Sequence, residues 1–309
     1  MTEHRTIRLV VPEPLNTADL AMEDGAAIRV RRHGNPDGPR LVLAHGNGFA
    51  IDAYLPFWSL LTDDFEVVLY DQRNHGWNPR HEVAHHDVPW FVRDMETVFH
   101  GIADAFGGKP AAGVFHSISA VTAVWHALEF GRRWDALVLF DPPLVPSPGH
   151  ALHETARDFE LMLSRWSKDR PARFESPEAL AAQFRSSKSL SRWVPGAHDL
   201  MARSILRRED ATGDWLLCCP PAGESQVYAT NATLDLCPRL GELSGPMKVA
   251  ASDPDDPNAR APGLVNRALH AEYGHPYEAV PGATHMVQIE KPAKCAAIVR
   301  DFLAQSGFG

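Results

Sequence analysis

The chain has 309 residues and only four cysteines, Cys218, Cys219, Cys237 and Cys295. None are spaced C-x-x-C and two are adjacent, so neither a thiolate metal site nor a disulfide framework is indicated, and a reduced, cytoplasmic setting is expected. Excess positive charge is also missing. Thirty Lys and Arg face 39 Asp and Glu, a net charge of -9, which disfavours nucleic acid and anionic membrane surfaces as partners. No apolar run approaches the roughly 20 residues of a membrane span, and no apolar segment follows Met1-Thr2-Glu3-His4-Arg5 as it would in a secretory leader. Internal repeats and low-complexity linkers are absent. What remains, 44% hydrophobic and 22% charged, can bury a large core, either as one sizeable domain or as a domain with an insertion.

Two short strand candidates, Thr6–Val11 and Ala27–Arg32, open the chain, separated by a polar stretch from Asn16 to Gly25. A strand–loop–helix rhythm follows. Leu41–Ala44 runs into His45-Gly46-Asn47-Gly48-Phe49, and Phe65–Tyr70 into Asp71-Gln72-Arg73-Asn74-His75-Gly76. A helix is predicted over Val88–Phe106, with Asp87 as its N-cap and Pro89 in its first turn. Ala136–Phe140 is closed by Asp141-Pro142-Pro143. Short apolar strands alternating with helices predict a mostly parallel sheet covered on both faces, with sites built at the carboxyl ends of its strands. From 145 to 243 that rhythm gives way to helical segments holding Trp166, Trp193, Trp215, Phe159, Phe174 and Phe184. It resumes with Met247–Ala251, Pro262–Tyr273, Tyr277–Val280 and a closing helix from Pro292 to Ala304.

The stretch around which this arrangement turns is Phe115-His116-Ser117-Ile118-Ser119-Ala120. A strand leads in and a helix leaves, so Ser117 can occupy a sharp turn that exposes its hydroxyl, with the Ile118 N–H free at the helix start. The pattern departs from G-x-S-x-G at Phe115, where a small residue is usual, and a serine here could equally be a plain N-cap. Phe115 is expected to pack beneath the turn against the 88–106 helix.

Taken together, the loops after four successive strands resemble those of the α/β-hydrolase superfamily with a helical cap. The matching pieces are His45-Gly46-Asn47-Gly48-Phe49, Asp71-Gln72-Arg73-Asn74-His75-Gly76, His116-Ser117, and Gly282-Ala283-Thr284-His285 with Glu290-Lys291-Pro292 beyond it. The resemblance implies a core from residues 1–144 and 244–309 and a cap from 145–243. It implies Ser117 as nucleophile and His285 as base, with His45 and His75 holding loop geometry. His116 is read as packing beside the nucleophile. The oxyanion hole would be the N–H groups of Asn47 and Ile118; the Asn47 side-chain amide is a further candidate donor, although an asparagine between two glycines is equally what a tight turn wants. The acid would follow the resumed strand. Spacing laid on Ser252 selects Asp255, with Asp253, Asp256 and, at the end of the preceding strand, Asp141 as alternatives. His81, His85 and His86 beside Asp87 read as a solvated loop running into an N-cap, so no metal and no cofactor are expected.

The reading that results is a serine hydrolase acting through an acyl-enzyme on an ester, thioester or lactone. Its partner is a small molecule, which the aromatic residues of the cap suggest is apolar. C–C bond hydrolysis, cofactor-free oxidative chemistry and a non-catalytic receptor are the alternatives. Epoxide hydrolases and haloalkane dehalogenases are disfavoured because those relatives carry aspartate where Ser117 stands.

Overall fold

The computed structural model of the chain describes residues 8–308. In chain order come β1 (Asn16–Ala21), β2 (Ala27–Gly34), β3 (Arg40–Ala44), the short helix α1 (Leu55–Trp58), β4 (Glu66–Tyr70), α2 (Val88–Phe106), β5 (Ala111–His116), α3 (Ile118–Phe130) and β6 (Ala136–Phe140). A long insertion then carries α4 (His153–Asp169), β7 (Arg173–Phe174), α5 (Pro177–Ser186), α6 (Ala197–Ile205), β8 (Leu206–Arg208), β9 (Trp215–Leu217) and α7 (Pro221–Asn231). The chain closes with β10 (Met247–Ser252), α8 (Ala261–Tyr273), β11 (Tyr277–Val280), α9 (Val287–Glu290) and α10 (Pro292–Gln305).

Eight strands form one sheet in the order β1-β2-β4-β3-β5-β6-β10-β11. Its first two pairings, β1 with β2 and β2 with β4, are antiparallel, and every other pairing is parallel. Strands β3 to β6 are buried at every residue, as helices on both faces require. Their side chains alternate between two apolar clusters. Leu41, Leu43, Val114 and Phe140 face one cluster, and Val42, Ala44, Phe115 and Leu139 the other. Helix α2 begins where expected, the Asp87 carboxylate accepting from Trp90 N–H at 3.1 Å. Among the described residues no helix is long and apolar enough to cross a membrane.

The sequence expectation fails at the start of the chain. The first strand is Asn16–Ala21, the stretch taken as a polar connector, whereas residues 8–11 form no strand and Thr6 lies outside the described residues. An edge strand needs few apolar residues: Ala18 and Leu20 pack against the core while Asp19 pairs with Arg29 across the ladder. The insertion likewise holds a small antiparallel sheet, β7-β9-β8, whose strands of two or three residues are too short to display an alternating pattern.

The residue that looks wrong at the turn before α3 is accommodated from below. Phe115 is fully buried and meets Trp134 edge-on at 5.4 Å. Its ring lies across Gly113, where a Cβ would collide with the ring edge and come within 2.8 Å of Leu137 Cδ2. The small residue missing two positions before Ser117 is thus found four before it, on the same strand face.

Candidate active site

Ser117 is the residue between β5 and α3. Its φ of 55° is in the left-handed region, which a non-glycine residue enters at a cost of roughly 1–2 kcal/mol. The surrounding bonds hold it there. Ser117 N–H donates to Phe140 O on β6, and Ser119 Oγ accepts from His116 N–H at 3.0 Å and donates to His116 O at 2.8 Å. Ser119 therefore ties the turn together and also reaches Ala44 O on β3 at 3.2 Å, while the Ser117 hydroxyl is left to meet His285.

It meets His285, on the loop after β11, with Oγ and Nε2 2.9 Å apart. His285 Nδ1 is 2.8 Å from Asp141 Oδ2. Asp141 stands at the end of β6, is fully buried and also has a positive φ, 44°. Its other oxygen, Oδ1, accepts from Ser252 N–H at 3.0 Å, Ser252 Oγ–H at 3.1 Å and Asn266 Nδ2 at 3.3 Å. Three donors on one oxygen fix which oxygen faces the histidine.

The expected carboxylate, Asp255, is elsewhere. Its side chain is 80% exposed and pairs with Arg267 at 2.7 Å, so the structure does not place it beside His285. Asp253 accepts from Gly282 N–H and from Asp255 N–H, and Asp256 pairs with Arg192. Ser252 is the physical reason that Asp255 is not the partner. In place of the glycine of the pattern, a hydroxyl stands at the end of β10, and that hydroxyl serves Asp141 on the adjacent strand.

The loop after β3 lies against the turn. A Cβ on Gly46 would be 3.0 Å from Ser117 Cβ, so glycine makes this close approach easy and a larger residue would have to push the turn aside. Neither Asn47 N–H nor Ile118 N–H donates to a protein acceptor among the described residues. The Asn47 side-chain amide donates to Glu224 O on α7 at 2.9 Å. His75 Nε2 accepts from Gly48 N–H at 3.1 Å and His75 Nδ1 bonds Arg73 O at 2.9 Å. His45 bonds Gly46 O and accepts from Gln72 N–H. Burial pushes both imidazoles down, to about 3 for His75 and about 4 for His45, keeping them neutral with one donor and one acceptor each.

Tyr54 carries no signal in the sequence, and it joins His116 in a buried relay. Gly46 N–H donates to Tyr54 Oη, which lies 2.7 Å from His116 Nδ1, and His116 Nε2 lies 2.8 Å from His285 O. Burial holds His116 well below the usual histidine range, so the neutral ring accepts from Tyr54 and donates to the carbonyl of His285. His116 does more than pack: it links the loop after β3 to the loop after β11. The latter is also anchored from behind, where Glu290 accepts from Thr284 N–H at 2.7 Å and from its hydroxyl.

From the insertion, Glu224 is buried, pairs with Arg170 at 2.8 Å, and would be 2.7 Å from a Cβ on Gly48. Glu160, 2% exposed, accepts from Asn231 Nδ2, which also donates to Pro143 O just beyond Asp141. Burial pushes the Glu160 carboxyl up to about 7, partly opposed by Asn231 and by His285. Its folded value exceeds the ordinary one, so the folded state binds the extra proton. The resulting stabilisation is complete below about pH 4.5 and is lost as pH rises to about 7. Glu160→Gln should remove that slope, gaining on the order of 3 kcal/mol over wild type at about pH 8 and little at about pH 4.5. Urea unfolding at the two pH values measures it, and parallel profiles would show that this carboxyl is not raised.

His75, His86 and Cys219 are buried, with potential ligand atoms within 4.8 Å of one another. The His75 lone pair is already taken by Gly48 N–H, and the His75 and His86 rings stack at 28°. Stacked rings do not aim their nitrogens at one point, so the trio reads as a hydrogen-bonded support for the β3 loop. His81 and His85 lie near Asp24, apart from this group. All four cysteines are free and buried.

Between residues 41 and 298 the sequence matches the model of the alpha/beta hydrolase family. The chain belongs to that family. Among curated relatives, the probable oxidoreductase EphD of Mycobacterium tuberculosis is 30% identical over 135 residues, 42% of this chain and 22% of EphD. The putative carbamate hydrolase RutD of Escherichia coli is 28% identical over 173 residues, 50% of this chain and 61% of RutD. The chain therefore spans less than two thirds of the relatives it matches. The chain also superposes on E-2-(acetamidomethylene)succinate hydrolase with a TM-score of 0.74 at 20% identity, covering 94% of this chain and 99% of the other. For the thioesterase domain of the curacin biosynthetic pathway the TM-score is 0.71 at 16% identity, with 92% and 99% covered. Likeness at that identity establishes the fold alone.

Proposed function

We propose that this hydrolase cleaves a carboxylic ester, thioester or lactone through an acyl-enzyme on Ser117. One observation carries the reading: a continuous line from Ser117 Oγ through His285 to Asp141, with bonds of 2.9 and 2.8 Å. In the first half-reaction His285 Nε2 takes the Ser117 proton as Oγ bonds to the substrate carbonyl carbon, and the carbonyl electron pair moves onto oxygen. The unpaired N–H groups of Ile118 and Asn47 receive that oxyanion. Collapse breaks the bond to the alcohol, thiol or ring oxygen, which leaves with the proton from His285. Water then repeats the sequence, releasing acid and free serine. Asp141 holds Nδ1–H and stabilises the imidazolium.

In the same reading the 145–243 segment is a cap over the site, joined to it through Asn47–Glu224 and Asn231–Pro143. Its aromatics have several settings, and Trp193 reaches the β3 loop, meeting Phe49 edge-on at 6.2 Å. Trp166 is 57% exposed, while Trp193 stacks on His198 and Phe174 joins the apolar cluster. A fluorophosphonate probe should label Ser117 alone, and Ser117→Ala should abolish both labelling and turnover of p-nitrophenyl esters. Labelling that persists at Ser119 would overturn the assignment.

A further inference from the structure

Four groups converge from the cap near the ends of β3 and β6: Glu160 on α4, Tyr228 on α7, and the Glu224–Arg170 pair. Glu224 has a cation 2.8 Å away. Glu160 has none among the described residues, although buried carboxyls are ordinarily paired. Asn231 satisfies its Oε2. Its Oε1 has no protein donor among the described residues, yet it is not one of the sealed-in polar atoms, so it opens onto accessible space. The half-buried Tyr228 also has no hydrogen-bond partner for its hydroxyl among the described residues. Glu224, Tyr228 and Asn231 stand at i, i+4 and i+7 on one stripe of α7, and Asn231 bonds Glu160, so Tyr228 lies between the Arg170 pair and Glu160; burial, with both carboxylates nearby, pushes its phenol up. His285 itself keeps 30% of its side chain exposed. The cap thus offers a carboxylate oxygen and a phenol, both without partners among the described residues, tied through Asn231 to Pro143, two residues beyond Asp141.

We propose that Glu160 Oε1 and the Tyr228 hydroxyl form a subsite that reads a hydrogen-bond donor, a hydroxyl or an ammonium group, on the substrate. The proposal rests on the acyl-hydrolase reading for its orientation relative to Ser117. A donor from the ligand supplies what no protein residue does, and an ammonium group would also provide the missing counter-charge. A hydrogen bond to a charged group outweighs one between neutral groups, so the ammonium should be the better ligand where Glu160 is ionised. Asn231 keeps the carboxyl aimed while bonding Pro143 O, so the subsite and the turn carrying Asp141 are braced by one amide.

The test compares three p-nitrophenyl esters of equal chain length: a plain alkanoate, its ω-hydroxy analogue and its ω-ammonium analogue. Wild type should favour the donor-bearing esters in kcat/KM by roughly 10- to 100-fold, chiefly through KM. Glu160→Gln should collapse the preference for the ammonium ester to within about threefold, and Tyr228→Phe should reduce the preference for the hydroxyl ester. Equal use of all three esters by wild type, or an intact preference in Glu160→Gln, would overturn the subsite. Fluorophosphonate labelling is read on the same preparations. Labelled wild type without preference defeats the subsite and leaves the serine hydrolase standing. Unlabelled wild type defeats the hydrolase reading, and calorimetry then decides the subsite alone: an ω-amino alkanamide should bind at least about tenfold more tightly than the matching unsubstituted alkanamide. The same calorimetry on wild type serves if Glu160→Gln fails to fold, and equal affinities there would overturn the proposal.

Discussion

Asp141→Asn should lower kcat/KM for a p-nitrophenyl ester about 10⁴-fold, whereas Asp255→Asn should stay within about twofold of wild type. The large effect follows from how the Asp141 carboxylate is held. Ser252 N–H, Ser252 Oγ–H and Asn266 Nδ2 all point at Oδ1. An asparagine placed there must offer its carbonyl oxygen to those three donors, which turns its NH2 toward His285. An NH2 group can only donate, so His285 Nδ1 becomes the acceptor and the ring proton moves to Nε2. That nitrogen, 2.9 Å from Ser117 Oγ, then has no lone pair to take the serine proton. The loss corresponds to roughly 5.5 kcal/mol of transition-state stabilisation. Asp255 has only an exposed ion pair with Arg267 to lose, a contact worth about 0–1 kcal/mol. Steady-state kinetics on both variants, with circular dichroism to confirm folding, settles the comparison. An Asp141→Asn enzyme within tenfold of wild type would remove Asp141 from the reaction.

Phe115→Gly should destabilise the protein by about 3–5 kcal/mol, with a further loss of roughly 1 kcal/mol from glycine's backbone entropy. The ring is fully buried between Trp134 and the strand face left open by Gly113. Removing it leaves a cavity that these neighbours cannot close without moving β5. Introducing a methyl group at Gly113 tests the same packing from the other side. Gly113→Ala would drive a Cβ into the ring edge, at a cost of about 1–3 kcal/mol for overpacking. Thermal unfolding reads both. A melting temperature for Phe115→Gly within a degree or two of wild type would show that the ring contributes little to folding.

Much of this molecule is legible without coordinates because the signals are local. Asp87 and Pro89 mark the start of α2, and the apolar runs of β3 to β6 are short, continuous and closed by polar loops. Each needs only its own neighbours in sequence to be recognised. The order of the loops then places Ser117 and His285 on facing strand ends, and the structure brings those two side chains within hydrogen-bond distance. Phe115, expected beneath the turn against α2, lies in the same apolar cluster as Met95 and Val98 of that helix, with Trp134, which the expectation did not include, as its ring partner.

The carboxylate was a different matter, since the choice among Asp141, Asp253, Asp255 and Asp256 depends on where donors from three separate segments converge. Ser252, Asn266 and His285 are far from Asp141 in sequence, and only the pairing of β6 with β10 brings the Ser252 hydroxyl to it. The same holds for the chain from Gly46 through Tyr54 and His116 to His285, and for Glu160, whose raised affinity for its proton comes from burial between helices of the insertion. A strand or a helix cap is decided by residues a few positions apart. The identity of a charge partner is decided by which side chains the completed fold places within about 3 Å of each other, and for Asp141 that meant the tertiary structure.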